Sequence, residues 1–195
     1  IPFDLAVEPL FPVDLAQPEL ILPFEKGIYW SLTGGPHASW GDGSAWGALD
    51  FAPPGEESGC FKSDSWVTAV ADGVITRSAN GAVVLDLDGD GLEQTGWSIL
   101  YMHIASLDRV QAGKEVKAGD RIGHPSCEGG VSDGTHVHIA RRYNGEWISA
   151  DTELPFNLSG WVSSGEGNEY SGTLTKDGKV IYSWNGRTYD NQIRR

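Results

Sequence analysis

The stretch Gly134-Thr135-His136-Val137-His138-Ile139 places two of the chain's five histidines one residue apart. If Val137 and Ile139 face a core, the stretch is a strand. Alternate residues of a strand share a face, so His136 and His138 then project together. Two imidazoles on one face can supply a metal ligand beside a second, unligated nitrogen. Taken alone, the pair equally describes two surface histidines on an edge strand, and it is the remaining histidines that separate these readings. His37 follows Gly34-Gly35-Pro36, and Asp50 comes thirteen residues later in Ala48-Leu49-Asp50-Phe51-Ala52. His103 closes the apolar run Ile99-Leu100-Tyr101-Met102. One carboxylate and four of five histidines, flanked by glycines or ending apolar strands, form a metal-and-base set rather than decoration. The fifth, in Gly123-His124-Pro125, reads as a turn histidine.

A second acidic set lies in Asp86-Leu87-Asp88-Gly89-Asp90-Gly91. It reproduces the first half of a calcium loop, with acids at positions one, three and five and glycine at six. Position twelve, which requires a bidentate Glu, is Trp97, and the flanks read as strands, so this is not an EF-hand. Asp86, Asp88, Asp90 and Glu93 form either a looser Ca2+ site or a solvated hairpin tip. Cys60 and Cys127 are compatible with one disulfide in an oxidising compartment or with two free thiols inside a cell. Neither has a Cys or His partner at zinc-finger spacing.

The elements that must position these groups are short. Of 195 residues 39% are hydrophobic, with eight Trp and 26 Gly, a mix that suits a turn-rich β protein. Residues 1–26 hold five prolines between apolar pairs such as Leu10-Phe11 and Ile21-Leu22, which predicts an extended arm packed along the fold. Residues 27–158 carry strand signals separated by turns. Trp66–Val70 and Val74–Thr76 read as partners across Ala71-Asp72-Gly73. Ala82–Leu87 and Trp97–His103 follow, and Ile139–Ile148 is a hairpin with Asn144-Gly145 at its tip. Residues 159–195 add a hairpin around Asp177-Gly178, either an appendage or the closing strands of the main sheet, with a frayed tail from Asn191. No stretch shows helical periodicity, and the expected class is all-β: a compact antiparallel β-sheet domain.

The net charge of −13 disfavours nucleic acid as a partner, since no basic stripe is present to meet phosphates. No run of eighteen apolar residues predicts a membrane-spanning helix. Ile1 is not an initiator, so a signal peptide would lie outside these residues.

With these residues in place the sequence resembles the LasA/lysostaphin-type zinc endopeptidases that cut bacterial cell-wall peptides. The resemblance runs from about Leu22 to Trp147. It rests on His37, Asp50, Tyr101-Met102-His103 and His136-Val137-His138, with the paired turns of residues 110–123 between them. Ser126-Cys127-Glu128-Gly129-Gly130 leading into Gly134-Thr135-His136 is closest to the LasA branch. Thr135 departs from the proline of many members.

The resemblance implies that His37, Asp50 and His138 bind one zinc in a groove, with His103 and His136 as an unligated catalytic pair. It implies hydrolysis of peptidoglycan peptides, glycine-containing bonds among them, by zinc-activated water, and a secreted or cell-envelope location. Two other functions compete. A catalytically silent wall-binding or divisome-binding relative would have lost ligands, whereas this chain keeps all of them. A carbohydrate-binding β module would use Trp30, Trp40, Trp46 and Trp161 but leaves the histidines unexplained.

Overall fold

The computed structural model describes residues 11–195; residues 1–10, with Pro2, Pro9 and Leu10 of the arm, lie outside the described residues. Fifteen short strands follow one another: β1 (Tyr29–His37), β2 (Ala48–Ala52), β3 (Val67–Thr68), β4 (Gly73–Ala79), β5 (Ala82–Asp86), β6 (Trp97–Met102), β7 (Glu115–Val116) and β8 (Arg121–Gly123). Then come β9 (Val137–Tyr143), β10 (Glu146–Trp147), β11 (Asn157–Leu158), β12 (Trp161–Gly165), β13 (Gly172–Lys176), β14 (Lys179–Tyr182) and β15 (Gln192–Arg194). One 3-10 turn, Tyr189–Asn191, precedes β15. The expected all-β class and antiparallel pairing are both observed.

The main sheet runs β15-β1-β2-β9-β6-β5-β4-β7, with β10 beside β9. Its centre is made by β-branched and apolar residues. All five residues of β2 and all five of β5 are buried, as expected of strands covered on both faces. A second sheet, β11-β12-β13-β14, packs Trp161, Leu174 and Ile181 into the common core. The described part of the arm behaves as its apolar residues predict. Leu20, Leu22 and Phe24 are buried, Phe24 stacks on Trp30 with ring centroids 5.1 Å apart, and Thr68 donates its amide to Pro23 O.

Two turn signals form as read. Asn144-Gly145 and Asp177-Gly178 all take left-handed backbone, with φ of 48°, 82°, 49° and 78°, closing β9 on β10 and β13 on β14. Two other readings need correction. Trp66–Val70 does not pair with Val74–Thr76: β3 pairs with β8, and β4 pairs with β5 and β7. The intervening Asp72 is engaged elsewhere, its carboxylate accepting from Ala118 N at 2.9 Å and Lys117 Nζ at 3.0 Å. The tail is not frayed either. Buried Ile193 pairs with Trp30, and β15 seals the β1 edge of the main sheet.

Cys60 and Cys127 form a disulfide across 67 residues. By chain entropy it stabilises the fold by about 4 kcal/mol. The double variant Cys60→Ser, Cys127→Ser should therefore lose stability of about that size in denaturant unfolding, with its strand content kept in far-UV circular dichroism.

Candidate metal centre

Strand pairing brings the chemistry together. On adjacent strands β2 and β9, Asp50 lies opposite His138, and on β6 Met102 lies opposite the same histidine. His103 follows Met102 and would point to the opposite face in regular strand. It takes left-handed backbone instead, with φ of +63°, and its ring turns to within 4.5 Å of the His136 ring. His37 ends β1, whose pairing with β2 is irregular on both sides of Gly34. A side chain at Gly34 would push on the site, since a Cβ would lie 2.7 Å from Asp50 Oδ2.

Each of these four histidines is held by a backbone carbonyl. His37 Nδ1–H donates to Gly35 O at 2.8 Å, and His138 Nε2–H donates to Ser39 O at 3.0 Å. His103 Nδ1–H donates to Glu128 O at 3.2 Å, and His136 Nδ1–H donates to Gly134 O at 2.7 Å. With the outer nitrogen donating, the inner nitrogen of each neutral ring carries a lone pair. His37 Nε2 and His138 Nδ1 lie 3.0 Å apart, each 3.3 Å from Asp50 Oδ1. His136 Nε2 is 3.6 Å from that oxygen. Asp50 Oδ1 is buried without a hydrogen-bond partner among the described residues. Three acceptors facing one another in a buried site require positive charge between them.

Titration reflects that requirement. Burial pushes the Asp50 pKa up, but the His37 and His136 imidazoles outweigh it and hold it well below the usual carboxylate range. Burial pulls His37 down, and the Asp50 carboxylate outweighs that and leaves it raised. His103 differs. Burial first, then the neighbouring His136 and His138, lower it to about 4, so at neutral pH it is an uncharged base. The donor set His37, Asp50 and His138 is thus able to hold one metal ion. His103 and His136 stand beside it with free nitrogens.

The remaining sequence candidates lie elsewhere. Tyr101 is buried in the core and its hydroxyl accepts from Val70 N at 2.8 Å. His124 packs at a tilt against Trp66, with centroids 3.8 Å apart, and donates to Ser65 O. Trp30 and Trp161 are core residues, whereas Trp40 and Trp46 stay partly exposed in the loop after His37. Asp86, Asp88 and Asp90 do cluster, but Glu93 is held by Arg77 and Arg142 at 2.9 and 2.8 Å and does not join them. One neighbour carried no sequence signal. Tyr170, between β12 and β13, stacks on the His37 ring with centroids 4.2 Å apart.

The site is thus a buried carboxylate ringed by carbonyl-held histidines on an antiparallel sheet, and the chain that carries it resembles known peptidases. Residues 55–150 match Peptidase family M23. The match covers 96 of the chain's 195 residues, and the chain is similar to that family over this segment. The matched segment holds His103, His136 and His138; His37 and Asp50 lie upstream of it. Protease LasA of Pseudomonas aeruginosa is 25% identical over 135 residues, covering 66% of this chain and 30% of that protein. The chain therefore spans under a third of that relative's length. The solved structure of pseudoalterin, described as a novel M23 metalloprotease from the deep sea, is 26% identical. It aligns over 92% of this chain and 100% of its own, with a TM-score of 0.72. More distant is the catalytic domain of lysostaphin from Staphylococcus simulans, 24% identical over 65% of this chain and 89% of that one, with a TM-score of 0.40.

Gly34 offers a test of the geometry that alters no donor residue. Gly34→Ala should displace the Asp50 carboxylate and weaken divalent-metal binding by about tenfold or more, the range for loss of a ligand's support. Metal content by mass spectrometry, beside an unchanged circular dichroism spectrum, reads the outcome.

Proposed function

We propose that the chain is a zinc-dependent endopeptidase that hydrolyses peptide bonds of bacterial peptidoglycan, cross-bridge or stem peptides, glycine-containing ones among them. The observation that carries this reading is the triangle of donors, with edges of 3.0, 3.3 and 3.3 Å. Zinc bonds of about 2.0–2.1 Å in tetrahedral geometry separate ligand atoms by roughly 3.3 Å. Two imidazole nitrogens and one carboxylate oxygen make three protein donors, the number found in catalytic rather than structural zinc sites. Zinc bound there would polarise a scissile carbonyl and bring the pKa of a water near 7.

The unligated histidines do the proton work. His103, uncharged at neutral pH, accepts a proton at Nε2, because its Nδ1–H is committed to Glu128 O. His136 presents Nε2 on the same side, with Nδ1 committed to Gly134 O, and as an imidazolium it would donate to a developing oxyanion or leaving amine. Asp50 is buried and its carboxyl is held well below the usual carboxylate range, so it supplies fixed negative charge to the ligand set. The peptidoglycan substrate rests on the LasA/lysostaphin-type resemblance. The disulfide between Cys60 and Cys127 supports a secreted or cell-envelope location.

The two sets of histidines separate in experiment. His138→Ala should abolish stoichiometric zinc and, with it, lysis of purified cell-wall sacculi. His103→Ala should keep one zinc per chain while turnover falls by about 10²–10⁴-fold, the range for loss of a general acid or base. Wild-type protein that holds no zinc after reconstitution would refute the reading. Chelation with EDTA should abolish lysis, and added zinc should restore it.

A further inference from the structure

The second sheet reaches the metal centre through one loop, residues 166–171, and grips the segment that carries His37. Gly35 N donates to Tyr170 O at 2.8 Å, and Tyr170 N donates back to Pro36 O at 3.1 Å. Ala38 N donates to Glu169 Oε1 at 3.2 Å. Residues 35, 36 and 38 are thus all held from the same two positions, on either side of the histidine. The imidazole itself lies under the Tyr170 ring, centroids 4.2 Å apart and planes 22° from parallel.

This grip is built at some cost. Tyr170 takes left-handed backbone, with φ of +65°, which L side chains adopt only when their surroundings impose it. Ser183 Oγ–H, beyond β14, donates to Tyr170 O and pins the strained residue at 2.8 Å. The two backbones also touch directly. A Cβ on Gly35 would lie 2.5 Å from Gly172 N, and one on Gly172 would lie 2.5 Å from Pro36 Cδ. Only glycine on both sides allows that approach.

Gly35 is also the residue whose carbonyl fixes the His37 tautomer. The Tyr170 carbonyl therefore holds the amide of the very residue that orients the ring, and the Tyr170 side chain covers the ring's face. We propose that Tyr170 and Glu169 are positioning residues for His37, so that the second sheet forms an integral part of the metal centre. The proposal rests on the reading of His37 as a zinc ligand. Neither residue touches the reacting atoms in this role. Each acts by restricting where Nε2 of His37 points, and a histidine free to rotate away holds zinc less tightly.

Zinc affinity and zinc release rate, measured by competition with a chromogenic chelator at fixed pH, test this without reference to catalysis. Tyr170→Ala removes the stacked ring and should weaken zinc binding by about 10- to 100-fold, the usual range for lost support of a ligand. Tyr170→Phe keeps the ring and should restore wild-type affinity, which separates stacking from any role of the hydroxyl. Glu169→Ala, a change at an exposed side chain, should speed zinc release while the metal-free protein melts at the wild-type temperature. It serves as the deciding variant if Tyr170→Ala does not fold. Wild-type zinc affinity in both Tyr170→Ala and Glu169→Ala would overturn the proposal while leaving the zinc reading intact. Wild-type protein that binds no zinc would overturn both.

Discussion

Four hydrogen bonds from imidazole N–H groups to backbone carbonyls govern this structure. Gly35, Ser39, Glu128 and Gly134 each accept from one histidine, and each bond decides which nitrogen of that ring is left with a lone pair. A carbonyl is a stricter holder than a carboxylate. It belongs to the main chain, moves only when the fold moves, and cannot take the proton away. The site's donor atoms converge on Asp50 because four separate loops and strand ends place these oxygens correctly.

Most of the loop architecture can be understood as support for those oxygens. Glu128 O follows directly on Cys127, whose disulfide ties it to the segment around Cys60. The left-handed Gly81 and Gly129 allow the Asn80–Gly81 and Glu128–Gly129 backbones to meet; a Cβ on either would lie 2.2 Å from an opposing carbonyl oxygen. Gly134 O sits beside Thr135, whose hydroxyl accepts from Phe61 N at 2.8 Å and donates to Phe61 O at 2.7 Å. This pair of bonds is open to threonine and closed to proline. The departure at position 135 thus has a structural use: it fastens the His-x-His strand to the disulfide-bearing segment. The same environment sets the charges. Burial keeps His103 neutral, while the carboxylate at the centre favours positive charge on His37.

The site was legible in the sequence to the extent that its signals are local. Alternation in His136-Val137-His138, an aspartate inside an apolar pentapeptide and a histidine at a strand end are short-range patterns. All five residues meet around Asp50 as those patterns suggested. The two Asn-Gly and Asp-Gly turns were legible for the same reason, since their left-handed residues are written in the dipeptide. What failed depends on distant partners. Trp66–Val70 looked like one arm of a hairpin because nothing nearby reveals that Asp72 will be taken by Lys117 and Ala118. The strand β15 has a single apolar anchor, Ile193, too little pattern to announce a strand. Tyr170 is an ordinary loop tyrosine until the second sheet folds back onto β1, and Glu93 passed for a cation ligand until two arginines reached it.

The pairing of β15 with β1 also bears on how the chain folds. Gln192–Arg194 follows every other described strand in the sequence, yet it covers the flank of β1, the strand that ends in His37. Until those residues dock, Tyr29, Trp30 and Ser31 present an unsatisfied ladder of amides and carbonyls on that side. An unpaired edge of this kind recruits extended segments from other chains. A chain in which β15 has not docked is therefore open to misassembly, and the pairing of Gln192–Arg194 with Tyr29–Ser31 closes that edge.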